Sequence, residues 1–133
     1  MLIFKHILNN IPRPWLIKAS YLVKPIIAFY LKGDTYTDPI DGNSFRKFLP
    51  YGYSKQRKNA LSPSTLSLER HRLMWLFLKN ETSFFTSSKK IKTLHIAPEQ
   101  CFLKIFKKQK NLDYITSDLE SPIADVKADI CNL

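Results

Sequence analysis

A chain of 133 residues is sized for one domain, and its 44% hydrophobic and 13% aromatic content is enough for a packed core rather than disorder. It carries a net charge of +10 and only 3 glycines, which speaks against a glycine-rich phosphate loop. Two widely spaced cysteines, Cys101 and Cys131, fit a reducing, cytoplasmic setting and buried thiols better than a disulfide framework. No signal peptide stands out, and apolar runs such as Pro25 to Leu31 are too short to span a bilayer.

Residues 1–33 read as a helical segment. Leu2, Ile3, Phe4, Ile7 and Leu8 form a short apolar face, and Pro12 and Pro14 then break the chain. From Trp15 to Leu31 a broad apolar surface follows. Pro25 is expected to kink or divide it, and Gly33 to stop it. This segment holds Lys5, Arg13, Lys18, Lys24 and Lys32 and no acid. Such a basic front suits a solvated surface, nucleic acid or an anionic membrane.

Residues 34–65 are rich in turns and short strands, with Asp38-Pro39-Ile40-Asp41-Gly42 and Ser62-Pro63-Ser64-Thr65 as turns. Residues 66–133 then alternate. The run Leu66 to Lys79 has no breaker, and Leu66, Leu73, Leu76 and Phe77 fit a helical face. Ile91 to Ala97 reads as a strand. Pro98 opens a helix that runs to about Lys108, with Phe102, Leu103 and Phe106 inward. Leu112 to Ser117 and Val126 to Ile130 read as further strands. Strand, helix and strand at this spacing predict a parallel α/β unit.

In such a unit ligands bind at the carboxyl ends of the strands. Ala97 is small enough for close approach to the backbone, and the helix starting at Pro98 offers unpaired amides to a carboxylate. Glu99 is placed to pair with an ammonium. Asp118, about twenty residues on, is placed to accept from ribose hydroxyls, and Asp129 from an adenine amino group. Each acid alone is more often a solvated surface residue; together, in register along one unit, they become more specific. His95 reads as a lining residue or as a histidine satisfied within the core.

The order Leu94-His95-Ile96-Ala97-Pro98-Glu99, Leu112-Asp113-Tyr114-Ile115-Thr116-Ser117-Asp118-Leu119 and Ala124-Asp125-Val126-Lys127-Ala128-Asp129-Ile130 resembles a bacterial branch of the class I S-adenosylmethionine-dependent methyltransferases. Phe45-Arg46-Lys47-Phe48-Leu49-Pro50-Tyr51-Gly52 and Ser67-Leu68-Glu69-Arg70-His71-Arg72 resemble the same branch, so the likeness covers nearly the whole chain. It implies N-terminal helices, a degenerate zinc-knuckle-like segment and the first half of a doubly wound, Rossmann-like sheet, cut short after its third strand. It also implies transfer of a methyl group from S-adenosyl-L-methionine to an unidentified acceptor, with no catalytic base named and activity of the fragment in doubt.

By the same resemblance His95, Ala97, Pro98, Glu99, Asp118, Leu119 and Asp129 form the cofactor site. His95, Ala97 and Glu99 stand where the family usually has an acid and two glycines. Relatives tend to carry Cys-Pro-x-Cys twice. Here Asp38-Pro39-Ile40-Asp41 and Ser62-Pro63-Ser64-Thr65 keep the spacing without the thiolates, so no metal is expected and Phe45, Phe48 and Tyr51 are expected to hold the loop. Two other classes stay open: a basic nucleic-acid-binding module, and a peripheral membrane or partner-binding protein acting through residues 1–33.

Overall fold

The computed structural model describes residues 12–52 and 55–132. The apolar face at Leu2, Ile3, Phe4, Ile7 and Leu8 lies outside them. Helix α1, Arg13–Tyr30, begins directly after Pro12, with a proline in its first turn where a missing amide is harmless. Pro25 does not divide it. The lost hydrogen bond is offset by contacts around it: Ile27 and Ala28 pack on buried Leu31, Phe45 and Phe48, and the Lys104 ammonium sits 4.7 Å over the Tyr21 ring. Gly33 is not the helix stop. Leu31 caps α1, and Gly33 lies within the next strand because a side chain there would meet the Arg46 backbone nitrogen at 2.6 Å.

Two small antiparallel pairs follow. Strand β1, Lys32–Thr37, pairs with β2, Ser44–Phe45; β3, Leu49–Tyr51, pairs with β4, Arg57–Leu61. The turn between β1 and β2 meets the turn that follows β4 across a buried polar clasp. The fully buried Asp38 carboxylate accepts from the Ile40 amide at 2.9 Å, from Thr65 Oγ1 at 2.5 Å and from Ser67 Oγ at 3.2 Å. Ser67 in turn accepts the Ser62 amide. Phe45 and Phe48 are buried as expected, but Tyr51, at the end of its strand, is exposed.

Helix α2, Glu69–Asn80, starts three residues later than the unbroken run suggested. Leu66 has a left-handed φ of 60°, and Leu68 is extended with its amide donating to His71 Nδ1 at 3.0 Å. The clasp holds these residues out of the helix. The inward face of α2 is also different: His71 and Trp75 are buried, whereas Leu73, Leu76 and Phe77 are exposed.

The remainder is an α/β unit. Strands β5, Ile91–Ile96, β6, Leu112–Asp118, and β7, Val126–Lys127, form a parallel sheet in that order, with helix α3, Gln100–Lys107, crossing from β5 to β6. Strand β7 is shorter than expected, because β6 ends at Asp118 and offers it only two paired positions. The chain then turns into a 3-10 segment, Ile130–Asn132. On one sheet face, Trp75, Phe102, Phe106 and Leu112 form the main core with Phe84 and Phe85, and the Phe102 and Phe106 rings stack at 5.1 Å. On the other face Leu94, Ile96, Ile115 and Val126 are exposed among the described residues.

Candidate functional site

Parallel pairing in register brings the expected positions to one end of the sheet. Ile96 stands opposite Ser117 and Asp118 opposite Lys127, so the chain leaves all three strands on the same side. Ala97 follows β5 with φ at 52°, an unusual conformation for a residue with a Cβ, and its amide donates to the Ser117 carbonyl. Pro98 is buried, and Glu99 is the extended cap before α3. Asp118 ends β6, and its Oδ1 accepts the amides of Glu120 and Ser121 at 2.8 and 2.7 Å. Leu119 is exposed beside it. Asp129 lies two residues past β7, where its Oδ1 accepts the Cys131 amide.

Behind this end runs a chain of titratable groups. The Tyr114 hydroxyl is 2.7 Å from His95 Nδ1, His95 Nε2 is 2.7 Å from Glu99 Oε2, and His71 Nε2 is 3.5 Å from Glu99 Oε1. Burial pushes the Glu99 carboxyl up, but the His95 hydrogen bond and the two imidazoles outweigh it and hold the group below the ordinary carboxylate value. A carboxylate cannot donate, so His95 Nε2 carries the proton between them. Burial pushes His71 down, against the pull of Glu99. Its Nδ1 accepts from the Leu68 amide, so neutral His71 keeps its proton on Nε2, facing Glu99. Burial, with help from Asp125, pushes Tyr114 up to about 12, and burial pushes Cys101 up to about 12. Tyr114 is therefore a phenol and Cys101 a thiol at neutral pH, which leaves Cys101 a poor nucleophile.

Two hollows flank the loop 119–125. One, of about 470 Å³, is lined by Arg70, His71, Glu99, Gln100, Cys101 and Ile123 among others. The second, of about 130 Å³, is lined by Asp118, Leu119, Glu120, Ser121, Ala124, Val126 and Lys127. Asp125 fixes the loop: it accepts from Lys107 Nζ at 2.6 Å and from Thr116 Oγ1 at 2.7 Å, while its amide donates to Thr116 Oγ1 at 2.8 Å. These bonds, Lys107 first, hold its carboxyl below the usual range.

Asp125 is given no role of its own by the sequence alone. Its signal was a buried threonine in mid-strand, which needs a partner for its hydroxyl. The Glu69-Arg70-His71-Arg72 run divides its tasks. Glu69 pairs with Arg57 at 3.3 Å, His71 caps α2, and Arg72 donates to the Ala60 and Ser67 carbonyls over the Phe48 ring. Arg70 faces the larger hollow.

No group of three or more His, Cys, Asp or Glu side chains able to hold a metal occurs among the described residues. Asp38 meets Thr65 and Ser67, while Asp41 is exposed and accepts from Asn43. Comparison with known proteins returns no match: no family model fits the chain, and neither a curated protein nor a solved structure is similar to it.

Proposed function

We propose that this chain forms the cofactor-binding part of an S-adenosylmethionine-dependent methyltransferase. The reading rests on one observation: Ala97, Pro98, Glu99, Asp118 and Asp129 leave three parallel, in-register strands at the same end, beside two hollows separated by a pinned loop. Carboxyl ends of parallel strands are where nucleotide-like ligands sit in doubly wound sheets. The turns at Asp38–Asp41 and Ser62–Thr65 keep the spacing that the resemblance associates with a knuckle, and Asp38 links them by accepting from Thr65 and the adjacent Ser67.

The fit is uneven along the ligand. The larger hollow suits the amino-acid end, with Arg70 for the carboxylate and the first amides of α3 beside it. Glu99 faces the ammonium with a charge already shared between His95 and His71, so it binds that group less strongly than a free carboxylate. The smaller hollow suits a ribose edge at Asp118, although Oδ1 is engaged by its own loop. His95 is turned toward Tyr114 and the α3 rings and acts by orienting Glu99. The bound sulfonium supplies an already activated methyl group, so the protein's task is to position the acceptor in line.

Isothermal titration with S-adenosylmethionine and S-adenosylhomocysteine tests the proposal. Saturable binding of both, weakened at least tenfold by Asp118→Ala, is the expected result. Absence of heat at millimolar ligand, with the protein folded by circular dichroism, contradicts it.

A further inference from the structure

Among the described side chains of helix α1 the apolar ones lie mostly outward. Its side toward the protein carries Ser20, Tyr21, Lys24, Ile27 and Ala28, all half-buried. Its outer side carries Trp15, Leu22, Ile26 and Phe29, which are 70%, 75%, 70% and 84% exposed and recur at the spacing of one helical face. Burying the more polar side has a cost. Burial and the nearby Lys104 both push the Lys24 ammonium below its ordinary value. An apolar stripe of this size turned to water marks an interaction surface.

The stripe continues into a groove of about 700 Å³ between α1 and the β3–β4 hairpin, walled by Ile26, Tyr30, Phe48 and Leu49. Its charged lining residues are Lys47 and Lys58, both exposed; neither makes an ion pair among the described residues, and no acid lines the groove. Lys18 flanks the stripe on α1, and residues 12–33 contain no acid. Arg46 donates to the Tyr30 carbonyl and lies 4.8 Å over its ring, adding a cation at the same rim. No helix among the described residues is long and apolar enough to cross a membrane, and a one-sided apolar stripe flanked by lysines is the pattern of a helix that lies in an interface.

We infer that α1 and the adjoining groove dock the protein on an anionic phospholipid bilayer, with the outer face of α1 in the acyl boundary and Lys18, Lys47 and Lys58 among the headgroups. Aromatic anchors with flanking lysines are the chemistry such a surface selects. This surface is distinct from the sheet end described above and does not depend on the methyltransferase reading.

Trp15 supplies a built-in probe, since the other tryptophan, Trp75, is buried. The full chain is sedimented with vesicles of equimolar phosphatidylglycerol and phosphatidylcholine, and with phosphatidylcholine alone. The expected result is binding at least tenfold stronger to the anionic vesicles, weakened by salt, with a blue shift of tryptophan emission. Ile26→Glu and Phe29→Glu should each lower binding at least tenfold, and Lys47→Ala and Lys58→Ala roughly fivefold each. Leu73→Glu, on an exposed apolar face of α2, should leave it unchanged. The inference is overturned by failure to bind anionic vesicles, or by binding that survives Ile26→Glu and Phe29→Glu. It is equally overturned by a lipid-independent dimer that Ile26→Glu dissociates, which would assign the stripe to a second copy.

Discussion

Helices α1 and α3 are both apolar and basic, and they use those properties in opposite directions. In α3 the aromatic side points in, with Phe102 and Phe106 buried against Trp75, while Lys104 and Lys107 point out. In α1 the aromatic side points out and Lys24 is half-buried. The difference follows from what each helix meets. Helix α3 crosses a parallel sheet whose inner face, with Leu112 and Tyr114, is apolar. Helix α1 meets a small hairpin region that also carries a polar clasp, and among its described side chains Ile27 and Ala28 find apolar partners there. Apolar periodicity therefore predicts that a helix has a face, not that the face meets the core.

The comparison can be broken most severely at α3. Phe102→Ala removes a fully buried ring from the stack and is expected to cost about 3–5 kcal/mol in urea unfolding. A loss under about 1 kcal/mol would mean that the aromatic core contributes little. The hairpin region should respond to polar rather than apolar change. Asp38→Ala strands the Thr65 and Ser67 hydroxyls and the Ile40 amide in a buried site, for an expected loss of about 2–3 kcal/mol. A neutral outcome would show that packing of Phe45 and Phe48 holds the two turns without the clasp.

Acid should act next, through the chain linking α2 to α3. His71 is held below its ordinary value of 6.5, and Glu99 below 4.5. For each, the unfolded chain binds more protons between the two values, so stability rises with pH there. The His71 contribution is complete above 6.5 and declines as the pH falls through that value. The Glu99 contribution is complete above 4.5 and is lost as the pH falls through its lower folded value. Thermal melts between pH 7.5 and 3.5 should fall in two stages, and Glu99→Gln should flatten the lower one. The smallest effect is expected on α1. Phe29→Ser should change stability by no more than about 0.5 kcal/mol, because the ring touches solvent. A larger loss would show that the outer face of α1 is part of the fold.

The α/β unit was legible in the sequence because its signals are local. The runs from Ile91 and from Leu112 have strand composition and end within one residue of expectation, and Phe102 and Phe106 have helical spacing, but the helix opens at Gln100 rather than at Pro98, because Glu99 stays extended as its cap. What escaped depends on partners far along the chain. Asp38 meets Thr65 and Ser67, His95 meets Tyr114, and His71 meets Glu99 across separations that no periodicity reports. Leu73, Leu76 and Phe77 showed the same limit: they form a regular apolar face, and the core chose His71 and Trp75 instead. The parallel order of the strands was legible, whereas the short third strand, the loop fixed by Asp125 and the hollow under Arg70 were not.

Amide chemical-shift mapping on the 15.5 kDa chain tests the central claim most directly, because it reports where a ligand sits as well as whether it binds. On titration with S-adenosylmethionine the account predicts saturable shifts at Ala97, Glu99, Asp118, Leu119 and Asp129, with smaller ones at Arg70 and Gln100. A spectrum unchanged at millimolar ligand, or shifts confined to α1 and its groove, would contradict it.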